Sequence, residues 1–336
     1  MLAGIIVGLY FWGRTQGNPC AQRINYENIY VNNGINWDSL FAEPHLAELQ
    51  HMLESWQKRP VQANEVEVIK EFKGTQHHQI QIVSHFVGDQ KHYGALFLPN
   101  NYVNVSPGSF PVLIFAHGLD QDHPVVSIYG GFLKYALNAL DSNTIVIVPS
   151  FRGQSLRLSN QYYCSDGFFG DAFDGATDDA LALLNVCLSN IPAADTNRIS
   201  IAGVSRGGTV ALLAGIRDSR IKLVIDYAGP TNFPSRDVHS RYLKQYKYQF
   251  LGNKAPIAEL RKRILASSPY YFTEYLPDVV VGHGAKDHVV PLSQAQILID
   301  RLQEKGHRGK LIIDIKQDQG HDVEGFDVQL RRVNEM

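Results

Sequence analysis

Ser205, Asp287 and His321 have the residue types and the chain order that acyl transfer requires. A serine hydroxyl is a weak nucleophile and needs an imidazole to take its proton. The imidazole in turn needs a carboxylate to fix its tautomer and stabilise its charged form. Ser205 sits in Gly-Val-Ser-Arg-Gly-Gly, Asp287 in AKDHVVP and His321 in DQGHDVEG. Each follows an apolar run that reads as a strand. Competing groups are present: Asp226 follows the strand after the serine and is the alternative acid. His283 and His288 lie beside Asp287 and read as hydrogen-bonding histidines, Asp314 falls inside a strand, and Asp318 and Asp322 flank His321.

The elements around Ser205 explain its neighbours. In RISIAGVSRGGTVALLAGI, Ile199–Ala202 is a short apolar, β-branched run and Thr209–Ile216 an Ala/Leu-rich helical one. A chain that turns from strand to helix within a few residues strains the residue at the apex. Gly203 and Gly207 remove the Cβ atoms that would collide there, and Gly208 lets the helix lie close to the sheet. The serine is then held out at a helix N-terminus, where free N–H groups favour developing negative charge. This is the strand–turn–helix setting of a nucleophile elbow.

A tetrahedral intermediate also needs donors for its oxyanion. The backbone N–H of Arg206, directly after the serine, is one. The loop FAHGLDQD ends an earlier strand and offers the N–H of Leu119 as the second. His117 and Arg152, the latter in PSFRG, read as residues that brace these loops.

The remaining pattern supplies a scaffold. EVEVIKEF, HQIQIVSHF and HYGALFLP alternate as antiparallel strands. FPVLIFAHG and NTIVIVPSFRG are solidly apolar, as strands buried on both faces of a parallel sheet should be, and IKLVIDYAG, DVVVGHG and KLIIDIKQ follow the elbow as further strands. Helical patterns at 128–140 and 174–190 separate them, so the expected fold is a doubly wound, mostly parallel α/β sheet with leading antiparallel strands. Asp38–Arg59 reads as one amphipathic helix stopped by Pro60. Residues 232–275, with Leu243, Tyr246 and Phe250 on one stripe, read as a helical insertion able to cap a site.

Composition is that of an ordinary globular protein: 336 residues, 44% hydrophobic, 19% charged, with a formal net charge of −2. That charge gives no field for nucleic acid. Residues 1–20 open with MLAGIIVGLYFWG, shorter than the ~20 residues of a membrane-spanning helix but of signal-core length. They read as an export signal or membrane tether, and 21–336 as a single domain. Of the three cysteines, Cys164 and Cys187 are expected either as a disulfide or as two buried thiols. His77 and His78 face opposite sides of a strand and form no ligand pair. No metal-binding spacing is present and no cofactor is called for.

The loop HG, PSFRG, GVSRGG, SSPYYF, GHGAKDHVVPLSQAQILIDRLQEKG and QGHDVEG, from about Tyr93 to Gly325, together resemble α/β-hydrolases of the prolyl oligopeptidase type, including acylaminoacyl- and dipeptidyl-peptidase catalytic domains. The HGLD loop is closer to the backbone-donor arrangement of dienelactone hydrolases and esterases. The resemblance implies Ser205 as nucleophile, Asp287 as acid and His321 as base. The implied substrate is a small ester or a short peptide.

Overall fold

The computed structural model describes residues 20, 36–59, 61–74, 76–119, 125–235, 237–238, 256–322 and 324–336. The expected signal-like segment and the stripe Leu243, Tyr246 and Phe250 lie outside the described residues.

Nine strands form one sheet. In spatial order they are β1 (Asn64–Lys73), β2 (His78–Val87), β3 (Gln90–Pro99), β6 (Ile145–Ser150), β4 (Phe110–Ala116), β9 (Ala194–Val204), β10 (Ile221–Tyr227), β11 (Asp278–Gly284) and β12 (Leu311–Lys316). The pairings β1–β2, β2–β3 and β3–β6 are antiparallel. From β6 to β12 every neighbouring pair is parallel. The carboxyl ends of β6, β4, β9, β10, β11 and β12 therefore share one edge, where open α/β sheets bind ligands.

The apolar runs exist because both faces are covered. Within β4, Val112 and Ile114 face one core together with Ile201 and Leu212, whereas Leu113 and Phe115 face a second core with Ala202 and Ile225. Alternation of side chains along the strand sends successive residues to opposite layers. The helices α1 (Leu46–Gln57), α2 (Gly131–Asn138), α3 (Asp174–Asn190), α4 (Arg206–Arg217), α5 (Ile257–Ala266) and α6 (Ser293–Glu304) fill those layers. A small sheet of β5 (Val125–Ser127), β7 (Ser155–Leu158) and β8 (Gln161–Cys164) lies beside the main one.

Two expectations need correction. The single helix over Asp38–Arg59 is broken into the turn Trp37–Leu40 and α1. Pro44 lies in the break: it has no N–H to give a helix and restricts Glu43 before it. The disulfide is Cys20–Cys164, with a Cα–Cα separation of 5.3 Å, and not Cys164–Cys187. Cys187 is enclosed within α3, its thiol pushed up to about 12 by burial. Cys164 ends the hairpin strand β8, where a distant segment can reach it. Of the expected insertion, α5 and a short 3-10 segment, Pro269–Tyr275, are described.

Candidate active site

Ser205 terminates β9 and precedes α4 with φ 56° and ψ −122°, a backbone region that side-chain-bearing residues rarely adopt. Its N–H donates to the Tyr227 carbonyl at 2.8 Å, which fixes the turn against β10. The glycines around it are required by space. A Cβ on Gly203 would run into the Gly207 carbonyl, and one on Gly207 into the Ala116 carbonyl of β4. A Cβ on Gly208 would strike the Asp226 carboxylate. The sharpness of the elbow is thus set by three backbones meeting where only hydrogen fits. Ser205 itself remains partly exposed.

His321 and Asp287 are brought together. Nδ1 of His321 lies 2.7 Å from Oδ2 of Asp287, whose side chain is fully buried while the imidazole keeps 20% exposure. The other carboxylate oxygen accepts the N–H groups of Val289 at 2.7 Å and Val290 at 2.9 Å. Burial alone would raise this carboxyl, but hydrogen bonds from His283, His321 and the Val289 N–H outweigh it and hold Asp287 well below the usual carboxylate range. It is ionised at neutral pH and oriented at both oxygens. The loops are also tied to each other: the Lys286 N–H donates to the Gln319 carbonyl at 2.8 Å. A Cβ on Gly284 would meet the Gly320 carbonyl, so the His321 loop lies directly on the end of β11.

The loop that carries Gly118 and Leu119 stands next to the serine. A Cβ on Gly118 would lie 3.9 Å from the Ser205 Cβ, and Leu119 follows it. Arg206 is the first residue of α4, so its N–H has no carbonyl one turn back within the helix. Ser205, Arg206, Leu119, Asp287 and His321 therefore gather on one sheet edge.

The competing groups are occupied elsewhere. Asp226 is buried, accepts the Gly229 N–H at 3.0 Å and is pushed up to about 7 by burial. It is the poorer candidate for a permanent carboxylate. His283 belongs to the end of β11 rather than to the loop, and its Nε2 lies 3.0 Å from the Val290 carbonyl and 3.4 Å from Asp287 Oδ2. Asp318 pairs with Lys286 at 2.8 Å and Asp314 with Lys316 at 2.9 Å. Arg152 braces its loop as expected, with its backbone N–H and guanidinium both on Asp179 at 2.8 Å. His117 does likewise, its ring tilted against that of Phe151 with the centres 4.8 Å apart.

Three contributors carry weaker sequence signals. His283 reads only as a hydrogen-bonding histidine near Asp287, and its Nε2 lies 3.4 Å from that carboxylate. The hydroxyl of Tyr227 donates to the Glu324 carbonyl at 2.8 Å and so holds the far side of the His321 loop. The side chain of Arg206 reaches back to His117 and Gly118, although its place inside the elbow motif could have drawn attention to it. A cavity of about 370 Å³ opens elsewhere, among Arg59, Arg152, Asp171, Asp174 and Lys262, and has none of Ser205, Asp287 or His321 in its wall. Among the described residues, no group of His, Cys, Asp and Glu is placed to hold a metal ion, and no helix is long and apolar enough to cross a membrane.

Solved structures with the same architecture include two acetyl xylan esterases. Acetyl xylan esterase 1 from Thermoanaerobacterium sp. JW/SL YS485 matches with a TM-score of 0.62 and 16% identity, over 89% of this chain and 99% of its own. The acetyl xylan esterase from Paenibacillus sp. R4 matches with 0.61 and 18%, over 90% and 99%. The Pyrococcus horikoshii acylaminoacyl peptidase matches with 0.51 and 15%, over 81% of this chain and 48% of its own. No curated protein sequence matches significantly. The model of the prolyl oligopeptidase family (peptidase family S9) matches residues 133–336, more than half of the chain. With its mostly parallel sheet and leading antiparallel strands, the chain is an α/β-hydrolase that belongs to the prolyl oligopeptidase family.

Proposed function

We propose that the chain is a serine hydrolase that cleaves esters of short acyl groups through an acyl-enzyme on Ser205. The observation that carries this reading is the 2.7 Å contact of His321 with a buried, doubly anchored Asp287 on the edge that also bears the strained Ser205. With Nδ1 bonded to the carboxylate, the imidazole presents Nε2 to the serine as a base. His321 takes the Ser205 proton as Oγ bonds to the substrate carbonyl carbon. The oxyanion is received by the N–H groups of Arg206 and Leu119. As the carbonyl–oxygen bond of the ester breaks, the leaving alcohol takes the proton from His321. Water then attacks the acyl-serine, giving its proton to His321, and the acid departs as Ser205 is reprotonated.

The preference for esters is supported by whole-length likeness to two esterases, an argument from fold alone. Family membership favours a second reading, hydrolysis of short peptides or acylated peptides. Rates on nitrophenyl acetate and on aminoacyl nitroanilides separate them. Ester turnover with negligible anilide turnover is expected. Anilide turnover of comparable efficiency would transfer the protein to the peptidase reading, because amides are the harder substrates. The Cys20–Cys164 disulfide supports placing the protein in an oxidising compartment outside the cytoplasm.

A further inference from the structure

Arg206, one residue after the candidate nucleophile, has one of the largest fully buried side chains in the protein, only 1% exposed. A buried cation ordinarily comes with a carboxylate. Arg152 has Asp179 at 2.8 Å, and Arg217 has Asp174 and Asp178. Among the described residues no carboxylate lies within ion-pair distance of Arg206. Its acceptors are neutral and concentrated on one loop. Nη2 donates to the Gly118 carbonyl at 2.9 Å, to His117 Nδ1 at 3.1 Å and to the His117 carbonyl at 3.3 Å, and Nε reaches that carbonyl at 3.4 Å. Gln154 Oε1 is a further acceptor at 3.4 Å, and the guanidinium lies over the Phe151 ring with Cζ 4.5 Å from its centre. Burial pulls the guanidinium down to about 9, so it remains charged at neutral pH. The protein therefore keeps a costly charge at this point with no carboxylate in direct contact, Asp179 acting on it only from farther away.

The placement has a direct geometric consequence. The Gly118 carbonyl and the Leu119 N–H belong to one planar peptide unit and point in opposite directions. Whatever grips that oxygen sets the direction of that N–H. We propose that the Arg206 side chain is a positioning residue that orients the Leu119 N–H toward the oxyanion by holding the oxygen of the same peptide unit. Arg206 thus serves the site twice, with its own N–H as one donor and with its guanidinium as the fixture for the other. Its hold on His117 Nδ1 fits the same purpose. That Nδ1 also lies 3.0 Å from the Gly118 carbonyl, so the His117 ring and the Arg206 guanidinium meet the same oxygen. Burial, reinforced by the Arg206 charge, keeps His117 well below the usual histidine range.

This inference rests on Ser205 being the nucleophile, and the test separates the two. Wild-type protein, Arg206→Lys and Arg206→Met are first labelled with a fluorophosphonate. They are then assayed on nitrophenyl acetate and titrated with phenylboronic acid, which forms a tetrahedral adduct. Loss of one oriented donor is expected to lower kcat/KM by about 100-fold in Arg206→Met and about tenfold in Arg206→Lys, through kcat rather than KM. The boronate inhibition constant should rise in parallel. If Arg206→Met does not fold, Arg206→Lys carries the same comparison. Variants with kcat/KM within about threefold of wild type would overturn the positioning role and leave Ser205 in place. So would a fall in kcat/KM with boronate affinity unchanged. Wild-type protein that leaves Ser205 unlabelled would overturn the nucleophile assignment and this inference with it.

Discussion

Nδ1 of His321 lies 2.7 Å from Oδ2 of Asp287, and the other oxygen of that carboxylate is held by two backbone N–H groups. The aspartate is thus fixed before it fixes the histidine. Replacing Asp287 by Asn keeps the shape but offers an amide in place of the charge. Turnover should fall by about 10³-fold or more with KM little changed. Steady-state kinetics on a nitrophenyl ester check this, and a loss of less than tenfold would remove Asp287 from the role.

The elbow should be intolerant of a single methyl group. A Cβ on Gly207 would overlap the Ala116 carbonyl, a backbone atom that cannot swing aside. Gly207→Ala should cost about 3 kcal/mol or more, at the severe end of single substitutions, or prevent folding. Gly131, whose Cβ would meet nothing within 4 Å, is the control and should tolerate alanine. Equal unfolding midpoints for the two variants would show that the elbow is looser than its geometry indicates.

Asp226 ties stability to pH. Burial pushes it up to about 7, so the folded protein holds this proton more tightly than the unfolded chain does. Its stabilising contribution is complete below about pH 4, the ordinary carboxyl value, and is lost as pH rises through about 7. Asp226→Asn removes the titration, so the variant should gain on wild type in unfolding midpoint between about pH 4 and pH 8. A difference that stays constant over that range, or shrinks, would contradict the assignment.

Much of this site was legible because its chemistry is local in sequence. Gly203, Ser205 and Gly207 announce a turn within five residues, and Asp287 and His321 each follow an unmistakable apolar run. The strands were legible for the same reason: burial on both faces leaves no polar position in β4 and only the terminal Ser150 in β6. Contacts between distant loops left no such trace. The grip of Arg206 on Gly118 joins residues that only the adjacency of β4 and β9 brings together. The break at Pro44 was obscured because apolar residues on either side of it kept near-helical spacing. Cysteine spacing carries no pairing information, and Cys187 was discounted only once α3 was seen to enclose it.

The disulfide gives a count. Under denaturing, non-reducing conditions one thiol per chain, that of Cys187, should react with a thiol reagent, and three should react after reduction. In the native protein Cys187 should be silent, because its thiol is buried and kept protonated. Three reactive thiols before reduction would exclude the Cys20–Cys164 bond and weaken the case for an oxidising compartment.

The central claim is that Ser205 is an activated nucleophile. Reaction of the native protein with a fluorophosphonate, followed by mass mapping of the adduct, tests it most directly. The account predicts one adduct, on Ser205, and its disappearance in a folded His321→Ala variant. A folded wild-type protein that takes no label, or takes it on another residue, would contradict the assignment of Ser205, Asp287 and His321 as a working triad.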